Sequence, residues 1–241
     1  MWIAVLCCAL LGVYVVQVQV ADPMAAVSTD NPDVQKKIVN ITNTYRSTVE
    51  PSASNMVEVS WDPAVAKNAD WWAKQCKFEH SKPEARTTQE FQCGENLFMS
   101  SYLAGWDVAF KSFDDEKKDF TYGKGANYQG AVVGHYTQQV WNNCRAMGCA
   151  VAYCPNGPKY KYFYVCQYCP PGNYVNSMST PYKSGPRCGD CPNNCRNNLC
   201  TNPCKLNDTY SNCDVLAKDW CGDASMNKAC GASCNCKTEI K

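Results

Sequence analysis

The sequence predicts an α+β fold followed by a small cross-linked domain. In the first part of the chain, apolar residues recur at helical spacing, and two strand-like segments joined by a tight turn follow them. The composition changes sharply near Pro170, because cysteine is sparse before it, whereas proline, glycine, asparagine and cysteine are dense after it. We therefore predict a globular domain over residues 34–170, a connector over 171–203 and a terminal cysteine-rich domain over 204–241.

Residues 1–21, MWIAVLCCALLGVYVVQVQVA, form an uncharged apolar segment. The segment is typical of a secretory signal peptide, although it lacks the usual N-terminal lysine or arginine. A membrane anchor is the alternative, but the apolar run ends at Val16, and a membrane span needs about twenty residues. We therefore expect a secreted, extracellular protein without membrane insertion, in a compartment that permits disulfides.

Two further features concern the surface of the protein. The segments Asn40-Ile41-Thr42 and Asn207-Asp208-Thr209 are N-glycosylation sequons, which agrees with secretion. The chain has 23 basic and 22 acidic residues. This near-neutral balance argues against nucleic acid as a partner and against a polybasic membrane-binding surface.

Three helices are predicted in the globular part. The first begins at Asp62, an N-cap residue that is followed by proline at the first helical position. Its apolar face comprises Val65, Ala69, Trp72, Ala73 and Cys76. The apolar face of the second helix comprises Trp106, Phe110, Phe113 and Phe120. The third starts near His135, and its apolar face comprises Thr137, Val140, Trp141 and Cys144.

Two strands, residues 148–153 and 159–167, flank the turn sequence PNGP at 155–158. If the hairpin is symmetric about the centre of this turn, Cys149 lies directly opposite Cys166. Cys154 has the other parity and points to the opposite face of the sheet. The spacing therefore predicts a cross-strand disulfide between Cys149 and Cys166.

The last fifty-four residues contain ten of the nineteen cysteines, with few apolar side chains between them. A segment this small cannot bury enough apolar surface to fold alone, so disulfides must stabilise it. A cross-linked domain with little core and a free outer surface is typical of a binding module. The spacing of Cys188, Cys191 and Cys195 is similar to half of a zinc site, but no histidine follows, and disulfides are expected instead.

The only two histidines of the chain lie near features that indicate a polar pocket. His80 follows Cys76 by four residues, and Glu95 follows a second cysteine. Glu116 borders the apolar face of the second helix, where a carboxylate needs a partner, and His135 opens the third helix. Two imidazoles and two carboxylates can bind zinc or another divalent ion or perform acid–base chemistry. The alternative is that each histidine is a hydrogen-bonded structural residue.

Residues 134–141, GHYTQQVW, and residues 164–174, YVCQYCPPGNY, resemble the two signatures of the CAP superfamily. The later segments GPRCGDCPNNC and LCTNPC resemble the hinge and the cysteine-rich domain of the cysteine-rich secretory proteins. The resemblance runs from about residue 31 to the C-terminus and is closest to reptile-venom members. It implies a three-layer α-β-α sandwich, a disulfide-stapled hinge and a terminal domain with a fold like that of small sea-anemone toxins (ShKT-like).

The resemblance also implies a groove and a disulfide pairing. The groove positions fall on His80, Glu95, Glu116 and His135, and the two histidines can bind zinc. The implied disulfides are Cys76–Cys154, Cys93–Cys169, Cys149–Cys166, Cys188–Cys195, Cys191–Cys200, Cys204–Cys236, Cys213–Cys230 and Cys221–Cys234. Once Cys7 and Cys8 leave with the signal peptide, Cys144 has no partner. It is either a buried unreactive thiol or an exposed thiol that links two chains; otherwise a monomer is expected.

The resemblance implies a function as well, since the venom members are described as ion-channel blockers. We therefore expect a non-enzymatic toxin that blocks potassium channels, ryanodine receptors or calcium channels through the terminal domain. A lysine beside an aromatic residue would suit a cation-selective pore, and ordinary surface is the alternative. The candidate pairs are Lys218 with Trp220 and Lys205 with Tyr210. Two other functions remain open, namely adhesion or gamete interaction through the sandwich, and a hydrolase in the groove that uses zinc or Ser81.

Overall fold

The computed structural model describes residues 22–90, 92–157, 159–210 and 212–241. The signal-peptide prediction for residues 1–21 lies outside this part of the chain. The helices are α1 (Pro32–Ser47), α2 (Pro63–Ala73), α3 (Trp106–Asp114), α4 (Gly134–Gln139), α5 (Cys213–Trp220), α6 (Ala224–Ala229) and α7 (Gly231–Asn235). The strands are β1 (Ser60–Trp61), β2 (Gly94–Ser100), β3 (Phe120–Thr121), β4 (Gly125–Ala126), β5 (Ala146–Tyr153), β6 (Tyr162–Cys169), β7 (Cys195–Arg196) and β8 (Leu199–Cys200). Short 3₁₀ helices cover Pro23–Ala26, Pro83–Arg86 and Asp115–Asp119.

A four-stranded sheet in the order β1-β5-β6-β2 forms the middle layer of a three-layer α-β-α sandwich. One face of β5 and β6 packs on α1 and α3, with Ile38, Phe110 and Tyr164 in the same core. The other face packs on α2, with Trp72 and Phe163 in a second core. Since alternate residues of a strand face opposite sides, both strands are apolar on both faces. The predicted fold class is therefore confirmed.

The hairpin of β5 and β6 has the register that the sequence predicts. Cys149 is paired with Cys166 across the strands, and a disulfide joins them. The pairing extends to Ala146 opposite Cys169. Each strand is therefore longer than predicted at the end that lies away from the turn. The second strand begins at Tyr162 rather than at residue 159, because the ammonium of Lys161 donates hydrogen bonds to two carbonyls of the turn and lengthens the loop.

The second helix is shorter than predicted. α3 ends at Asp114, and the five charged residues of the 3₁₀ helix Asp115–Asp119 follow it. This charged segment interrupts the apolar stripe, so Phe120 begins β3 and packs against Tyr136, with ring centroids 5.5 Å apart. The prediction that placed Phe120 on the face of the second helix was wrong.

The third helix is also shorter than predicted, because α4 ends at Gln139. Val140, Trp141 and Cys144 lie beyond its end, although all three are buried. The chain leaves the helix here because its carbonyls turn towards the side chain of Arg46 in α1. The placement of these three residues on one helical face was wrong, although their burial agrees with a core position.

The side chain of Arg46 is 1% exposed and projects from α1 into the core. Its guanidinium donates hydrogen bonds to the carbonyls of Val57, Gln139, Trp141, Asn142 and Cys144. None of these acceptors is a carboxylate. Burial lowers the pKa of Arg46 to about 10, so the side chain is still charged at neutral pH. The guanidinium supplies a donor to the carbonyls of Val57, Gln139 and Cys144. The carbonyls of Trp141 and Asn142 also accept the backbone N–H groups of Cys144 and Val57.

The structure contains eight disulfides, and they are the eight pairs that the resemblance implies. Cys144 is the free cysteine among the described residues, and it is completely buried. Burial raises the pKa of its thiol above the usual value of 9.0, and the nearby Arg46 offsets only part of that effect. The thiol is therefore protonated and shielded at neutral pH, which favours the buried, unreactive alternative.

None of the helices in the described ranges has the length and apolarity that a bilayer crossing requires.

We predict that Arg46→Met lowers the free energy of unfolding by at least about 3 kcal/mol, because five carbonyls around the buried guanidinium lose a charged donor. The measurement is the midpoint of unfolding in guanidinium chloride, with the disulfides intact. Arg187→Met is the matched control, since Arg187 forms a surface ion pair with Glu50 and should cost at most about 1 kcal/mol. Equal midpoints for the two variants would contradict a structural role for the buried guanidinium.

We predict that the folded protein is a monomer on a non-reducing gel and that Cys144 is not labelled by iodoacetamide at pH 8. A buried, protonated thiol reacts only when the structure opens. Unfolding with the disulfides intact should expose one reactive thiol, which Cys144→Ala removes. A reducible dimer band, or rapid labelling of the native protein, would show that the thiol is accessible.

Candidate functional site

The groove contains two pairs of histidine and glutamate, and Glu95 of β2 forms the first. The carboxylate of Glu95 accepts hydrogen bonds from the backbone and hydroxyl of Ser81, at 2.9 and 2.7 Å, and from Gln167 at 3.2 Å. It also lies 3.0 Å from Nδ1 of His80. Burial alone would raise the pKa of Glu95, but these hydrogen bonds outweigh it, and the pKa lies below its usual value of 4.5. Glu95 is therefore an ionised carboxylate that orients the ring of His80.

The second pair is formed by Glu116 and His135. One oxygen of Glu116 accepts hydrogen bonds from the backbone N–H groups of His135 and Tyr136, at 2.9 and 3.1 Å. The other oxygen lies 2.5 Å from Nδ1 of His135. The carboxylate thus caps α4 and orients the imidazole at the same time. The ring of His135 also stacks on Phe113, with centroids 5.3 Å apart, so both its position and its plane are fixed.

Direct contacts between β2 and α4 bring the two pairs to the same edge of the sheet. The side-chain amide of Asn96 donates to the carbonyl of His135 at 2.9 Å. A Cβ atom on Gly94 would lie 2.0 Å from Oε1 of Gln138, so glycine is needed for this close approach. Since Glu95 and Asn96 point to opposite faces of the strand, Asn96 ties the start of α4 to β2 while Glu95 holds His80.

Each pair orients its histidine in the way that metal-binding histidines are oriented. In each pair the carboxylate engages Nδ1, which leaves Nε2 of His80 and of His135 as the nitrogen directed away from the carboxylate. Metal-binding histidines usually donate their other ring N–H to a carboxylate in this way, and imidazole is a preferred ligand of zinc. The two glutamates are occupied by imidazole and backbone N–H groups. They would therefore act as outer carboxylates, and water would complete the coordination.

A second group of candidate ligands in the described ranges is not a metal site. The sulfur atoms of Cys188, Cys191 and Cys200 lie within 4.8 Å of one another. All three belong to disulfides, however, so no thiolate is available to bind a metal. This agrees with the expectation that the hinge is disulfide-stapled.

Ser81 does not form a catalytic dyad with His80. The hydroxyl of Ser81 is buried and donates to Glu95, and Arg86 lies beside it. His80 uses its Nδ1 atom on the same carboxylate rather than on the serine. A nucleophilic serine needs a histidine positioned to take its proton, and this geometry does not provide one.

The terminal domain, residues 204–241 and called the knob below, docks on the sandwich next to the hinge. Arg145 of the sandwich donates to the carbonyl of Lys205 at 3.0 Å and to Oδ1 of Asn207 at 3.3 Å. The amide nitrogen of Asn207 donates in turn to the carbonyl of Glu90 at 3.1 Å. Two clefts, of about 1140 and 640 Å³, lie around this contact, and Arg145 lines both of them.

The structure separates the candidate channel contacts. Lys205 lines the larger cleft and Tyr210 the smaller one, so these two residues lie on the side of the knob that faces the sandwich. Lys218 and Trp220 are exposed on α5 and line neither cleft. They are two residues apart in a helix, so they point about 200° away from each other. Neither pair is therefore a lysine packed beside an aromatic ring.

Sequence reasoning missed one exposed residue of α5. Val215 is 56% exposed and lies one helical turn before Lys218, on the same side of the helix. Its position three residues before Lys218 in a predicted exposed, cysteine-rich segment was the available signal.

A three-layer sandwich with two histidine–glutamate pairs at its edge strand defines the CAP class of domain. The family model described as "Cysteine-rich secretory protein family" matches residues 39–168, and the model described as "Crisp" matches residues 188–241. The chain belongs to the cysteine-rich secretory protein family.

Among its relatives is the cysteine-rich venom protein helothermine of Heloderma horridum horridum. This chain is 50% identical to it over 214 residues, which cover 88% of each chain. Among solved structures, NaASP2 with Zn²⁺ is 30% identical with a TM-score of 0.57, covering 71% of this chain and 96% of that one. Venom allergen-like protein 4 of Schistosoma mansoni is 26% identical with a TM-score of 0.52, covering 65% of this chain and 97% of that one.

Proposed function

We propose that the protein is a secreted, venom-type toxin that blocks an ion channel through the exposed side chains of α5, and that it is not an enzyme. The observation that carries this proposal is the orientation of the knob. One side of the knob docks on the sandwich through Asn207, whereas α5 exposes Val215, Lys218 and Trp220 away from both clefts. These residues are free to enter a partner's surface.

The rigidity of the knob supports binding to a preformed channel mouth. Three disulfides close the segment, and α5 is tied at both ends by Cys213–Cys230 and Cys221–Cys234. Little conformational entropy remains to be lost on binding, so more of the contact energy becomes affinity. Trp220, at 58% exposed, is the type of residue that dominates interface energetics.

Lys218 favours a cation-selective target, although Asp214 and Asp219 lie on the same helix. Lys218 presents an ammonium group on a flexible stem, which a pore that attracts cations can accommodate. Potassium channels, ryanodine receptors and calcium channels all belong to this class. The hinge and knob together have eight basic and six acidic residues, so the local placement of Lys218 matters more than the net charge.

The relationship to helothermine, whose name describes it as a venom protein, supports secretion and a toxin role. The eight disulfides agree with an extracellular location. Against a hydrolase stands the geometry of the groove, where Ser81 lacks a histidine base and two imidazoles supply fewer protein ligands than catalytic zinc sites use. A zinc-loaded sample should therefore be inert against a broad library of peptides and esters.

We predict that Lys218→Ala and Trp220→Ala each weaken block, and that the double variant raises the half-blocking concentration at least about 30-fold, as expected for two interface anchors. The measurement is electrophysiology of the full-length protein on a panel of potassium, calcium and ryanodine-receptor channels. Lys67→Ala with Trp71→Ala is the matched control, since both residues are exposed on α2 of the sandwich.

Unchanged block by the Lys218 and Trp220 double variant, with the disulfides intact, would exclude α5 as the contact. Equal loss in the control would place the contact on the sandwich instead. If the protein blocks none of these channels but binds cells, and the α2 substitutions abolish that binding, the function is adhesion through the sandwich.

We further propose that His80 and His135 bind zinc through Nε2, with the two glutamates as outer partners. Both Nδ1 atoms engage a carboxylate, and the similar protein NaASP2 has been solved with Zn²⁺. Bound zinc would brace the groove by joining His80 to His135 of α4. Its proposed contribution is structural, because both carboxylates beside the histidines are already engaged by imidazole and backbone N–H groups.

We predict that Glu116→Gln weakens zinc binding about 10- to 100-fold, because the amide holds the His135 imidazole less firmly and makes it less basic. His135→Ala should weaken it at least as much. The measurement is titration calorimetry at pH 7, with circular dichroism to verify folding. Glu84→Gln, an exposed carboxylate near the same groove, is the control and should bind zinc like the wild type; wild-type affinity in Glu116→Gln would contradict the arrangement.

A further inference from the structure

Both sequons lie at the cleft between the sandwich and the knob. The larger cleft, of about 1140 Å³, is lined by Asn40 of α1 on one side and by Asn207 of the knob on the other. A sugar on either residue would therefore enter the space between the two domains. The two side chains differ, however, in what they do in the folded protein.

Asn207 uses both ends of its side-chain amide to hold the knob in place. Its oxygen accepts hydrogen bonds from Arg145, and its nitrogen donates to the carbonyl of Glu90. N-glycosylation replaces a hydrogen on that nitrogen with a sugar ring. One N–H would remain on the nitrogen, but the sugar ring would stand beside the Glu90 carbonyl and the Arg145 guanidinium and crowd this contact, so the docked knob favours an unmodified Asn207.

Asn40 is exposed on the solvent side of α1, and its side-chain amide makes no hydrogen bond with the described residues. The amide nitrogen is therefore available without loss of a native contact. The hydroxyl of Thr42, which completes the sequon, is buried and donates to the carbonyl of Ile38. A sugar must consequently be attached before α1 packs on the sheet, which agrees with modification during secretion.

The cleft beside Asn40 has the features of a carbohydrate-binding surface. The half-buried indole of Trp61 lines it, and the negative face of an indole attracts the polarised C–H groups of a sugar ring. Lys36, one helical turn before Asn40, and Gln35 line the same cleft and offer hydrogen-bond donors. The volume exceeds that of ordinary ligand pockets, so a two-sugar core fits.

We propose that Asn40 carries an N-linked glycan, that its core lies in the cleft between sandwich and knob against Trp61, and that Asn207 is unmodified. The glycan then fills the cleft and acts as a covalently attached spacer between the two domains. This assignment is independent of the channel-blocking proposal, since α5 does not line the cleft.

The first test determines the site of modification. The full chain is secreted from eukaryotic cells, and its intact mass is measured before and after peptide-N-glycosidase, which converts a glycosylated asparagine to aspartate for peptide mapping. We expect one glycan, at position 40, in the wild type, in Thr42→Ser and in Thr209→Ala; the last removes the second sequon without touching Asn207. Asn40→Gln should have none. A wild type without a glycan, or a glycan at Asn207, overturns the assignment.

The second test determines where the glycan lies. Hydrogen exchange is compared between the wild type and Asn40→Gln, with Thr42→Ser as the control that retains the glycan. We expect the amides of residues 58–62 and 204–207, on the two walls of the cleft, to exchange several-fold more slowly in the two glycosylated proteins. Equal exchange in all three proteins would show that the glycan projects into solvent, which overturns its placement in the cleft.

Discussion

The buried guanidinium of Arg46 is the interaction on which the rest of the structure depends. A charge in the protein interior is costly unless oriented groups replace the lost water. Here five carbonyls do so, and those of Trp141, Asn142 and Cys144 belong to the irregular segment that follows α4. Val57 also bridges to Cys200 of the hinge, and Arg145, the next residue of this segment, contacts the knob. The arginine therefore determines where hinge and knob stand.

Helix α4 connects the hydrogen bonds of Arg46 to the histidine–glutamate groove. α4 has six residues, and a helix that short is not stable on its own. Glu116 binds the N–H groups at its start, and Arg46 binds the carbonyl of Gln139 at its end. Both ends are thus held by side chains from other elements, and the His135 ring receives a fixed orientation. Two charged side chains of opposite sign complement the two ends of the helix dipole.

Sequence reasoning succeeded where the signal is local. The cap at Asp62 predicted α2, and counting from the turn predicted that Cys149 faces Cys166. It missed α1 because two of the inward positions of that helix are polar, Thr42 and Arg46, so apolar periodicity does not reveal it. It extended two helices too far because the contacts that end them are tertiary. In the groove, spacing and resemblance identified the four residues. Their division into two pairs depends on the packing of α4 against β2, which leaves no pattern in the sequence.

The knob shows how little of a recognition surface a disulfide framework specifies. Its buried side chains are cysteines and Ala232, together with Ile240 near the C-terminus. The outward positions of α5, Val215 and Lys218 among them, make no contribution to this small core. They can be exchanged without loss of the fold, whereas the cysteines cannot. Cysteine spacing therefore identifies the family, while the target depends on side chains that the fold does not constrain. On the proposed channel-blocking function, the residues that select the target must accordingly be sought among the exposed side chains of α5.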